Sequence, residues 1–145
     1  MNLRIYDPKI LAIDLRHRRF GYAVFEGHRT LLDCGVRVYP SHGELEAAMA
    51  GKRLSALLGL FYPSVIIVKK ERWESAQTSA HMRNLVEAFT REAFAHSIQI
   101  HLIGQGDIEG TFRKLGCETR DEIASVLVRI FPDPPQLCYS LQYKM

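Results

Sequence analysis

Two charged clusters, each following an apolar run, hold most of the chemistry this chain can do. Lys9 to Asp14 reads K-I-L-A-I-D, a nearly continuous apolar run ended by a carboxylate. That pattern predicts a strand buried on both faces, with Asp14 at its open end. A carboxylate in that position suits a hard cation, and it equally suits a turn capped through its own backbone. Arg16, Arg18 and Arg19 follow at once, as phosphate contacts beside Asp14 or as a solvated hairpin turn. Val65-Ile66-Ile67-Val68 is a second buried run, followed abruptly by Lys69, Lys70, Glu71 and Arg72. Glu71 stands two residues past Lys69, so the two share a face if the strand runs that far. Trp73 either stacks on a base or sits half-buried at the strand exit.

The elements that position these groups follow from periodicity. Phe20–Phe25 and Thr30–Tyr39 are aromatic and β-branched enough for strands, and short connections make them a three-stranded antiparallel meander with Lys9–Asp14. Gly35 marks an expected bulge. From His42 to Phe61, Leu45, Ala48, Met49, Leu54, Leu57, Leu58 and Phe61 recur at helical spacing, with Ser41 as N-cap and Pro63 as stop. Ser79–Ala95 carries Met82, Leu85, Val86, Phe89 and Ala93 on one helical face, and Ile98–Leu102 is a fifth strand. Asp107–Leu115 is helical, with Gly116 ending it. Thr119 and Glu122 form a capping box for a last helix that stops before Pro132.

The order β-β-β-α-β-α-β-α-α predicts a mixed sheet flanked by helices. If the first and fourth strands lie side by side and parallel, Asp14 and Lys69–Arg72 meet at the edge where open α/β sheets place ligands. With 145 residues, 47% hydrophobic and 24% charged, the chain is one globular domain rather than a disordered segment. A net charge of +3 permits a nucleic-acid partner without requiring one. Cys34, Cys117 and Cys138 are widely spaced, with no metal-ligand pattern, and are expected as reduced thiols. The six histidines are scattered, and His101 alternates with apolar neighbours as a sheet residue. The charged start, Met1 to Lys9, does not have the form of a signal peptide, and no apolar stretch approaches the roughly 18 residues of a membrane span. A soluble cytoplasmic protein is expected.

Ile10 to Gly27, I-L-A-I-D-L-R-H-R-R-F-G-Y-A-V-F-E-G, resembles the opening of the RNase H-like superfamily. It is most similar to RuvC-type Holliday junction resolvases and the related YqgF-type proteins. Asp14, Gly21, Tyr22, Ala23 and Val24 match the pattern, and Pro63–Val68, Arg83–Ala88, Ile98–Leu102 and Thr119–Phe131 fall in the family's order. The resemblance covers residues 9–135 as a single domain, leaving 1–8 as an N-terminal extension and 136–145 as a tail. It implies an α/β RNase H-like fold, with a mixed five-stranded sheet of three antiparallel meander strands plus parallel strands. It implies a crossover junction endodeoxyribonuclease: a Mg²⁺- or Mn²⁺-dependent enzyme that binds or cleaves branched or double-stranded DNA, including four-way junctions, and that acts as a homodimer.

The same resemblance assigns Asp14 as catalytic carboxylate and metal ligand. The second acid falls on Lys69, leaving Glu71 as the nearest replacement. Arg16, Arg18, Arg19, Lys69, Lys70 and Arg72 would then bind the nucleic acid. Gln136–Met145 contains no carboxylate where the family carries two more acids. The expectation is a degenerate or truncated metal site, with metal-dependent endonuclease activity only if the site is complete. The alternative is a non-catalytic scaffold or interaction module in which Lys69 pairs with Asp14.

Overall fold

The computed structural model describes residues 8–27, 30–40, 44–69 and 76–131. Strands β1 (Lys9–Leu15), β2 (Arg19–Glu26) and β3 (Thr30–Val38) form the expected meander. Helix α1 (Glu44–Phe61) leads to β4 (Val65–Lys69), helix α2 (Ala76–Ala95) to β5 (Gln99–Ile103), and helices α3 (Gln105–Arg113) and α4 (Arg120–Ile130) follow. The five-stranded sheet has the order β3-β2-β1-β4-β5. β1 pairs antiparallel with β2 and parallel with β4, and β5 extends the parallel half.

Alternation along the strands divides the sheet into two unlike faces. Leu11, Ile13 and Leu15 of β1 are buried, beside Phe20, Tyr22 and Val24 of β2 and Ile66 and Val68 of β4. They join Leu54, Leu57 and Leu58 of α1 and Met82, Leu85, Phe89 and Ala93 of α2 in one core. Each fully buried Leu, Ile, Val, Phe or Met among them contributes about 1.5–3 kcal/mol by leaving water. Ala12, Asp14, Gly21, Ala23, Ile67 and Lys69 occupy the other face, and with Ile103 and Ile108 they line an open trough of about 330 Å³.

Local signals hold where their partners are local. Thr119 accepts a hydrogen bond from the Glu122 backbone N–H at 3.2 Å, and the Glu122 carboxylate reaches back to the Glu118 N–H at 3.3 Å. Gly116 adopts φ +85°, the left-handed conformation a helix-ending glycine takes at no steric cost.

Four expectations need correction. The Lys9–Asp14 strand is not buried on both faces: Leu11 and Ile13 are buried, while Ala12 and Asp14 face the open trough. Gly35 is not the bulge; the register shift falls between Val24 and Phe25. Gly35 instead makes room for Tyr22, because a Cβ there would lie 2.9 Å from the tyrosine ring. Leu45 does not face the core but is 62% exposed, and Glu46 takes its place at 0%. Cys117 is a buried free thiol as expected, but Cys34 is disulfide-bonded, a pairing that sequence spacing does not reveal. Ser41 and Trp73 lie outside the described residues.

Candidate functional site at the sheet edge

The parallel register sets Asp14 directly beside Lys69, at the C-terminal ends of β1 and β4. Antiparallel pairing sets Gly21 on Asp14's other side. The first and fourth strands therefore lie side by side and parallel, the arrangement the sequence allowed, and Asp14 opens onto the trough. Glu71, Lys70 and Arg72 lie outside the described residues, so nothing here places them at this edge.

The partner of Asp14 is not the one expected. Arg16 Nε donates to Oδ1 at 3.2 Å, and Arg16 Nη2 donates to Oδ2 at 3.3 Å. The guanidinium fork fits a carboxylate two residues earlier in the chain, whereas no ion pair joins Lys69 to Asp14 among the described residues. Both side chains of the Arg16–Asp14 pair are about two-fifths exposed, so water screens the attraction to about 0–1 kcal/mol. Its consequence is chemical: the carboxylate's lone pairs are already engaged by a cation.

The turn from Arg16 to Arg19 is built with unusual support. Arg16 N–H donates to Arg19 C=O at 3.0 Å and closes it. Arg18 takes φ +67°, a strained region for a residue with a Cβ. Two groups from elsewhere hold it there. The buried Glu46 carboxylate of α1 accepts the Arg18 N–H at 3.0 Å. Tyr39, 1% exposed, donates its hydroxyl to Arg16 C=O at 2.8 Å, with Arg19 C=O at 3.3 Å. The Tyr39 N–H donates to Arg18 C=O at 2.9 Å. Burial, and then the nearby Glu46 carboxylate, push the Tyr39 phenol well above its usual range, so it stays a neutral donor. The exposed Arg18 and Arg19 side chains thus leave a backbone fixed from behind.

Farther along β2, Tyr22 donates its hydroxyl to Asp33 at 2.9 Å and lies under the Arg37 guanidinium at 4.8 Å. Burial, then the Asp33 hydrogen bond, raise the Tyr22 phenol above its ordinary value. This group ties β3 to β2.

The structure brings Asp14, the Arg16–Arg19 turn and Lys69, all singled out in the sequence, to one region; Tyr39 and Glu46 were not singled out there. A signal for Glu46 existed. It stands at the head of the buried series Ala50, Leu54 and Leu58, an acid on a helix's apolar stripe.

No known family's sequence pattern matches the chain, and neither does the sequence of any curated protein. Solved structures do resemble it. Thermus thermophilus RuvC in complex with a Holliday junction substrate superposes with a TM-score of 0.75 at 16% identity, over 92% of this chain and 88% of that one. A second Thermus thermophilus RuvC structure gives 0.70 at 18% identity, over 88% and 83% of the two chains. The yeast mitochondrial Holliday junction resolvase gives 0.53 at 16% identity, over 70% of this chain and 53% of its own. At these identities the likeness establishes the fold: this chain has a RuvC-type RNase H-like fold. Among the described residues, no helix is long and apolar enough to cross a membrane.

Proposed function

We propose that this protein binds branched or double-stranded DNA through the basic edge formed by Arg16, Arg18, Arg19 and Lys69. The observation that carries this reading is the braced Arg16–Arg19 turn beside the β1/β4 edge. Arginines on a pre-set backbone contact phosphates with less ordering cost than arginines on a loose loop. Contacts of this kind position a nucleic acid without reading its sequence, which suits recognition of a branched shape. The fold adds support, since one of the RuvC structures it resembles holds a Holliday junction substrate. Homodimerisation and a cytoplasmic setting belong to this reading.

Metal-dependent cleavage fits the described residues poorly. Two Mg²⁺ or Mn²⁺ ions require several oxygen ligands to offset their charge. Asp14 is the only carboxylate among the described residues lining the trough. The Arg16 guanidinium holds it, and the Lys69 strand position adjoins it. Two cationic side chains around one acid oppose a dication rather than attract one. Asp14, held by Arg16 and alone among the described trough residues, does not make a two-metal catalytic site.

The test compares a labelled four-way junction with a linear duplex of equal length, with and without Mn²⁺. Salt-sensitive binding that favours the junction, with no cleavage, supports the reading. Absence of binding to either DNA overturns it in favour of a protein-interaction scaffold. Mn²⁺-dependent cleavage would show that the acids missing from the described edge are supplied elsewhere.

A further inference from the structure

On the helical side of the same sheet edge, the Glu46 that braces the Arg18 backbone meets two histidines that the DNA-binding reading does not use. His17 comes from the β1–β2 turn, Glu46 from the first turn of α1 and His81 from α2. His17 Nδ1 lies 2.8 Å from His81 Nε2 and 3.3 Å from Glu46 Oε1. His81 Nε2 lies 2.7 Å from Glu46 Oε2. The two imidazoles meet edge to face, with centroids 4.5 Å apart. We propose that His17, Glu46 and His81 are the protein ligands of a single divalent transition-metal site of the zinc class.

The arrangement has the donors and spacing of such a site. Zinc takes histidine nitrogens and carboxylate oxygens at about 2.0–2.2 Å, which in a tetrahedron sets neighbouring ligand atoms about 3.3–3.6 Å apart. The separations here are 2.8 Å between the two ring nitrogens, 2.7 Å to one Glu46 oxygen and 3.3 Å to the other, at or below that spacing, so an ion would draw the groups into place by spreading them slightly. Two imidazoles and one carboxylate select zinc, nickel, copper or iron over Mg²⁺, which prefers an all-oxygen shell.

A buried and incompletely satisfied carboxylate supplies the second, independent observation. Glu46 is 0% exposed. Its Oε1 accepts the Arg18 N–H, but its Oε2 makes no hydrogen bond, although His81 Nε2 stands close by. A carboxylate taken out of water is costly unless a positive charge or hydrogen bonds compensate it. Each ring nitrogen either carries a proton or offers a lone pair, not both. One proton placed on His81 Nε2 leaves the His17 Nδ1 lone pair facing Glu46 Oε1. A proton on each nitrogen sets two N–H groups against one another at 2.8 Å. One cation set between the two ring nitrogens and the Glu46 carboxylate satisfies all three groups together. The His17 side chain is about half exposed, so a fourth ligand, water or an anion, has access from solvent. Asp14 leaves β1 on the opposite sheet face, so this site is separate from the trough.

The test strips the full chain with a chelator and titrates Co²⁺, following visible d–d absorption. One Co²⁺ per chain, displaced by Zn²⁺ and not by millimolar Mg²⁺, is expected. His17→Ala and His81→Ala should each weaken Co²⁺ binding by more than about 100-fold, since even supporting groups around a metal are worth 10–100-fold. His17 lies in an exposed turn, so its variant keeps the fold, as a far-ultraviolet spectrum and melt will verify. No stoichiometric Co²⁺ binding, or binding that survives both histidine substitutions, overturns the proposal and leaves a proton in the place assigned to the metal.

Discussion

Tyr39→Phe removes one oxygen and leaves the ring in place, tilted against Phe20 at a centroid distance of 6.2 Å. The lost hydroxyl donates to Arg16 C=O at 2.8 Å and lies 3.3 Å from Arg19 C=O. Arg19 C=O keeps the Arg16 N–H as a partner, so the loss falls mainly on Arg16 C=O. One net hydrogen bond plus a partly unsatisfied buried carbonyl amounts to about 1–2 kcal/mol. For a domain of this size that lowers Tm by about 3–8 °C. Urea unfolding at neutral pH measures the difference directly. The phenol also gives a pH signature. Its folded-state pKa lies above the unfolded value of 10.0, so its stabilising contribution is complete below about pH 10 and is lost as pH rises further. The stability gap between wild type and Tyr39→Phe should therefore narrow on the alkaline side. A variant within about 0.3 kcal/mol of wild type at neutral pH would refute the claim that Tyr39 braces the basic turn.

Gly35→Ala places a methyl group 2.9 Å from Tyr22 Cε1, forcing the ring off Asp33 and out from under Arg37. A destabilisation of about 1–3 kcal/mol in urea unfolding is expected, against the gain that alanine brings elsewhere in strands. Lys69→Glu reverses a charge beside Asp14 and should weaken junction binding by at least about tenfold near 0.1 M salt, as read by fluorescence anisotropy. Thr119→Ala removes the oxygen that caps α4 and should cost about 0.5–2 kcal/mol, seen as a lower urea midpoint.

How far the sequence carried the account depends on the distance between partners. β1 was legible as a strand from K-I-L-A-I-D, though only one of its faces proved buried, and the α4 start was legible because Thr119 and Glu122 are three residues apart. The meeting of Asp14 and Lys69 was foreseen only on the condition that β1 and β4 lie side by side and parallel, as they do. The charge pairing did not, since Lys69 and Arg16 both stand near Asp14 and only side-chain geometry selects the arginine. Glu46 was missed because its partners are remote: Arg18 is 28 positions away, and the two histidines that flank it are 64 apart. Its burial in place of Leu45 reverses the usual rule for acids, and that reversal marks a place where local preference yields to a shared polar cluster.

The DNA-binding claim is tested most directly by salt dependence. Arg16 is offset by Asp14, so Arg18, Arg19 and Lys69 are the charges with most to give a phosphate backbone. Junction affinity measured between 50 and 200 mM salt gives the slope of log K against log salt, and each phosphate contact contributes about −0.9. Replacing Arg18, Arg19 and Lys69 together with Gln should make that slope shallower by about 2.7, with the four-way junction still the preferred DNA. A slope that does not change would mean that this edge does not hold the DNA, and would contradict the account.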